Sequence, residues 1–79
     1  MGFDEFVGAR GPALVRLAFL LCGDAHLAED LVQSALAKTY RHWKRFGDDD
    51  SPESYVRTVL VREHASWWRR ASSREHVSE

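Results

Sequence analysis

Residues 28–43 read AEDLVQSALAKTYRHW, the most regular stretch of this 79-residue chain. Ala28, Leu31, Val32, Ala35, Leu36, Thr39 and Trp43 recur at the three-to-four spacing of one helical face. Glu29 and Asp30 lie toward the start, where a helix dipole favours acids. Arg41, Lys44 and Arg45 lie toward the end, where it favours bases. The pattern predicts an amphipathic helix with a buried stripe, closed by Phe46-Gly47. The opposite face mixes Asp30, Gln33, Ser34, Ala37 and Arg41. It has few of the long salt-bridging pairs that serve only to solubilise a helix. A face of that kind is suited to a partner.

Working outward toward the N-terminus, Gly23 is a helix stop signal. Asp24 is an N-cap whose carboxylate can accept the first free backbone N–H groups. Before them, Leu14, Leu17, Ala18 and Leu21 form one apolar face of another helix. Phe3, Phe6 and Val7 mark a short leading helix. Gly11-Pro12 is expected to interrupt it, because proline lacks an N–H and biases its predecessor away from helical geometry. Toward the C-terminus, GDDD at 47–50 is a loop, and Ser51-Pro52-Glu53 opens a third long helix with cap, first residue and dipole partner in order. Val56, Val59, Leu60 and Trp67 are its core face. It is expected to run to about Arg70, with a polar, fraying end beyond Ser72. Alternating strand patterns and hairpin turns are weak or missing. The predicted fold is all-α, a compact bundle of three main helices plus a short N-terminal helix.

Length and composition agree with one small domain, 44% hydrophobic and 29% charged, which argues against disorder. The longest apolar run, Leu17 to Cys22, is far too short to cross a membrane. No export signal opens the chain, and the single Cys22 cannot form an internal disulfide. A cytoplasmic location is expected. The net charge is −1, but it is unevenly spread. Residues 1–37 carry −3, 38–46 carry +4, 47–53 carry −4, 54–74 carry +4 and the tail −2. A local basic stripe can hold a phosphate backbone on a near-neutral protein, because salt screens remote acids.

Catalytic chemistry is hard to find. His26, His42, His64 and His76 lack paired metal-ligand spacing, and there is no HExxH or CxxC. Asp48, Asp49 and Asp50 are consecutive, without the interleaved ligands and glycine of a calcium loop. No glycine-rich phosphate cradle is present. An enzyme is not expected, and no metal or cofactor is implied. From Tyr40 to Arg70, by contrast, aromatics and bases interleave: Tyr40, Trp43, Phe46, Tyr55, Trp67 and Trp68 with Arg41, Lys44, Arg45, Arg57, Arg62, Arg69 and Arg70. Aromatics stack on unpaired bases and arginine holds phosphate, a pairing that suits single-stranded nucleic acid. Core packing accounts for Trp43 and Trp67 as well, and a solvated face accounts for the arginines equally.

In its order of features the chain resembles region 2 of the sigma factors of bacterial RNA polymerase, in the extracytoplasmic-function, sigma-E-like group. The matching residues are ALVRLAFLLCGDAHLAEDLVQSALAKTYRHWKRF, a loop, and SPESYVRTVLVREHASWWRR, together nearly all of residues 3–74. The resemblance implies that the AEDLVQ helix docks on the clamp coiled coil of the polymerase's largest subunit. Asp30, Gln33, Ser34, Ala37 and Tyr40 would lie in that contact, with Arg41 at its edge. Small residues at 34 and 37 would let another helix approach closely. Relatives often have Glu where Ser34 stands, so one charged contact is missing from that helix.

The resemblance further implies recognition and melting of the promoter −10 element, with the non-template strand captured single-stranded and a base turned out into a pocket. The corresponding residues are Lys44, Arg45 and Phe46, the 47–54 loop with Ser51 and Ser54, and Tyr55, Thr58 and Arg62. Arg69 and Arg70 would anchor phosphate. Many relatives carry Asn at position 62, and Asn can read a base edge where Arg62 turns toward phosphate or another base preference. Residues 1–74 would be the region 2 domain and 75–79 a polar tail leading to a −35-binding helix-turn-helix domain outside these 79 residues. The implied partners are polymerase core and promoter DNA, with an anti-sigma factor as a further possibility and no membrane. The alternative is a helical protein-interaction module, held by an anti-sigma partner without touching DNA.

Overall fold

The structure, a computed structural model, describes residues 2–46 and 50–77, with side chains as far as Ser72. Its helices are α1 (Phe3–Cys22), α2 (Ala25–Arg41) and α3 (Pro52–Val77), with a short 3₁₀ turn at Trp43–Arg45. Among the described residues there is no strand. The all-α bundle is as expected, but the short leading helix is not a separate element. Helix α1 runs unbroken through Gly11 and Pro12. Part of the steric penalty before a proline falls on the preceding Cβ, and Gly11 has none. Pro12 is exposed, so water can serve the carbonyl its missing N–H leaves open. Phe6 and Leu14, on either side of the proline, are both buried in one core, and a break would sacrifice one of them.

That core joins Phe6, Leu14 and Ala18 of α1, Ala28, Leu31, Val32 and Ala35 of α2, and Val56, Val59 and Leu60 of α3. Ala18, Ala28 and Ala35 are wholly sealed, and their small side chains let the helices close on one another. Thr39 is also sealed, its hydroxyl donating to the Ala35 carbonyl at 2.8 Å. Each large aliphatic side chain buried this way contributes about 1.5–3 kcal/mol relative to exposure. Leu17 is partly buried, whereas Leu21, expected on the same face, is 36% exposed. Its turn lies at the end of the bundle, next to the open side chains of Phe19 and Leu20.

The local signals at the helix ends act as their chemistry predicts. Gly23 closes α1 at φ 72°, a left-handed geometry that glycine adopts without penalty. Asp24 caps α2, accepting from the Leu27 N–H at 3.0 Å. Ser51 caps α3, accepting from the Ser54 N–H at 3.2 Å, and Pro52 is its first residue. Helix α2 stops earlier than expected, at Arg41 rather than Phe46-Gly47. His42 leaves α-helical geometry, and Arg45 N–H then reaches the His42 carbonyl at 2.9 Å. The tighter winding keeps Trp43 against Phe3 and Phe6, with ring centroids 5.3 and 5.4 Å away.

Helix α3 is longer than expected. Its backbone is helical to Val77, past the end expected near Arg70. The segment holds no glycine or proline, and Ala, Arg and Glu favour helix. Trp67 is not packed on the core; it is half-buried and lies 6.0 Å from the Trp68 ring. No residue from Val61 to Ser72 is buried, so the spacing that suits Trp67 to a core face meets no covering helix there. Two ion pairs tie α3 down. Arg10 of α1 grips both Glu53 carboxylate oxygens, at 2.5 and 3.0 Å, and Lys38 of α2 pairs with Glu63.

Candidate nucleic-acid interface and docking groove

On α2 the buried stripe fixes what the other side presents. Asp30, Gln33, Ala37, Tyr40 and Arg41 are exposed, and Ser34 is half-buried. At 100° per residue these six fall within one third of the helix circumference. A groove of about 470 Å³ runs along this face, lined by Gln33, Leu36, Ala37 and Tyr40. Its other wall comes from α1: Phe3, Asp4 and Val7. Those α1 residues were missed as site residues in the sequence, where Phe3 and Val7 were singled out only as marks of a short leading helix. Asp30, Ser34 and Arg41 share the face without lining the groove.

A second concavity, of about 360 Å³, opens where α2 gives way to α3. It is lined by His42, Arg45, Phe46, Asp50, Ser51 and Tyr55. Five of these are residues the resemblance assigned to DNA: Arg45, Phe46, Asp50 and Ser51 of the loop, and Tyr55. Tyr55 stands edge-on to Phe46 and to His42, with centroids 5.4 and 5.9 Å apart, so its ring is held rather than free. His42 was missed as a site residue. The available signal was its place inside the basic-aromatic run, one residue past the true end of α2. Gly47, Asp48 and Asp49, expected to contribute from the loop, lie outside the described residues.

Tyr55 also lines a third concavity, a trough of about 590 Å³ along α3. Arg62, Arg69 and Arg70 line it as well, with Lys38, Glu63 and Ser66. Arg70 donates to the Ser66 hydroxyl at 2.9 Å, which holds the guanidinium along the helix. Glu63 is paired with Lys38, so the trough's acid is already neutralised by a neighbour. Thr58 is exposed on the same side, its hydroxyl donating to the Ser54 carbonyl at 3.0 Å. Ser54 and Lys44 are exposed but line neither concavity. Because Tyr55 belongs to both, the pocket and the trough form one continuous surface. It shares no lining residue with the α1–α2 groove.

Among the described residues no three of His, Cys, Asp or Glu gather closely enough to hold a metal ion. No described helix is long and apolar enough to cross a membrane. A further apolar groove of about 420 Å³ lies at the other end of α1 and α2, lined by Val15, Arg16, Phe19, Leu20, Ala25, Ala28 and Glu29.

Comparison with known proteins gives this arrangement a context. Residues 6–74 match the sigma-70 region 2 family. Over 77 residues the chain is 38% identical to the RNA polymerase sigma-E factor of Streptomyces coelicolor, covering 98% of this chain and 44% of that protein. The RNA polymerase sigma-E factors of Streptomyces avermitilis and Streptomyces antibioticus are each 36% identical over the same length, 43% of their own. The chain thus spans less than half the length of these relatives. No solved structure matches it. By both its family match and these relatives, the chain belongs to the sigma-70 region 2 family, as a sigma-E-like, extracytoplasmic-function member.

Proposed function

We propose that this chain is the part of a transcription-initiation factor that docks on RNA polymerase core and captures the melted −10 element. The clamp coiled coil of the largest subunit lies on the α2 face of Asp30, Gln33, Ser34, Ala37, Tyr40 and Arg41. The non-template strand lies across Lys44, Arg45, Phe46, Ser51, Ser54, Tyr55, Thr58, Arg62, Arg69 and Arg70. The supporting observation is the continuity of the 360 Å³ pocket and the arginine trough through Tyr55, apart from the α1–α2 groove. The pocket has the ring faces and donors that an extruded base needs. Stacking worth roughly 1–3 kcal/mol per base is of the size needed to offset extrusion, which costs a few kcal/mol. The trough supplies charge for the phosphates that follow.

Two pairs of substitutions test the division of labour. Asp30→Arg with Gln33→Ala should abolish co-precipitation with polymerase core and leave oligonucleotide binding intact. Arg69→Glu with Arg70→Glu should do the reverse, read by fluorescence titration of a −10 non-template strand. Equal effects of both pairs in both assays would refute the separation. A second reading, a module held by an anti-sigma partner without DNA, is favoured by the exposed Phe19 and Leu20 beside their apolar groove. Oligonucleotide binding indifferent to sequence and to salt would favour it over the first.

A further inference from the structure

We propose that α1 forms the second lip of the docking groove, and that Asp4 there recognises a basic side chain on an amphipathic helix laid between α1 and α2. The inference rests on the docking reading above and adds to it a new contact residue and the chemistry of the partner. The groove floor is Phe3, Val7, Leu36 and Ala37, so its occupant presents an apolar stripe. Ala37 keeps the floor low enough for a helix rather than a single side chain. Tyr40, 64% exposed, is braced edge-on by Phe3 at 4.9 Å and stands as a fixed wall. Asp4 and Gln33 are the polar side chains on the rim. Asp4 is exposed and makes no ion pair among the described residues, and neither does Asp30 on the same α2 face. A trough with an apolar floor and unpaired carboxylates to either side is complementary to an apolar stripe flanked by Lys or Arg, and it repels phosphate. Arg41 ends the α2 side of this face, so the partner's base lies over α1 rather than over the end of α2. Asp4 in this way supplies, from the neighbouring helix, a carboxylate that Ser34 cannot.

The test measures binding of the chain to polymerase core for four variants. Ala37→Arg blocks the floor. Asp4→Arg reverses the rim charge, and Asp4→Asn removes it with little change of shape. Glu5→Arg makes the same charge change in the same first turn of α1, outside the groove. Ala37→Arg and Asp4→Arg should each weaken binding by roughly tenfold or more, Asp4→Asn by about threefold, and Glu5→Arg by less than about twofold. Circular dichroism checks that each variant keeps its helix content, and Asp4→Asn decides the matter if Asp4→Arg does not fold. Loss with Ala37→Arg but none with either Asp4 variant overturns this inference and leaves the docking reading standing. No loss with Ala37→Arg overturns both. If sedimentation shows instead that the chain pairs with a second copy through this groove, and Asp4→Arg abolishes that pairing, the proposed partner is wrong.

Discussion

Gly23 takes a backbone angle, φ 72°, that an L side chain reaches only against its own carbonyl. No atom lies within 4 Å of where a Cβ would sit, so the cost of substitution there is conformational and not steric crowding from neighbours. Gly23→Ala should therefore lower unfolding stability by about 1–2 kcal/mol with no change in helix content, measured by chemical denaturation. This residue was legible in the sequence, as were Asp24, Ser51 and Pro52. Each acts on backbone groups within a few positions of itself, so its chemistry needs no knowledge of the fold. Trp67 and His42 were not legible. Their surroundings depend on where other helices end, and periodicity carries no information about that.

Among the elements, α1 departs most from its sequence signals. A proline inside a helix removes one hydrogen bond and crowds the carbonyl four residues before it, costing up to about 3 kcal/mol relative to alanine. Here Pro12 is exposed, so its side chain adds little to packing. Pro12→Ala should raise the unfolding free energy by about 1–3 kcal/mol, part of the gain being returned through a less restricted unfolded chain. A fall in melting temperature would show that the interruption is used structurally. The proline signal failed as a boundary because Phe6 and Leu14 draw both halves of α1 onto one core. The early end of α2 was likewise set by tertiary packing, through Trp43 on Phe3 and Phe6. Across both helices the buried stripe itself was readable, because residues sharing a helical face must share a neighbour.

At the scale of the whole molecule the charge mosaic matters more than the net charge of −1. Arg62, Arg69 and Arg70 share one trough, and Arg45 stands in the pocket next to it. If three to five phosphates are held there, the logarithm of affinity for a single strand falls with log salt at a slope of about −2 to −3.5. Arg69→Glu with Arg70→Glu should flatten that slope by about 1.4, since each lost phosphate contact removes roughly 0.7. An unchanged slope would place the strand elsewhere. The basic-aromatic mixture was visible in the sequence, but its division into two surfaces came from the family resemblance and not from residue spacing. Tyr40 and Tyr55 belong to the same sequence run yet line different concavities, and only the crossing of α2 and α3 separates them.

Helix α3 is about 39 Å long at the usual rise, yet between Val61 and Ser72 it buries no side chain. Beyond Glu63, which Lys38 ties to α2, the helix as far as Ser72 is a cantilever, clamped at one end. A free helix of that length is marginal in water, so this one takes its order from the anchored half. Any strand that grips Arg62, Arg69 and Arg70 must also stiffen the beam, and part of the attraction is absorbed in doing so. The same grip would tighten wherever a larger assembly braced the beam beforehand.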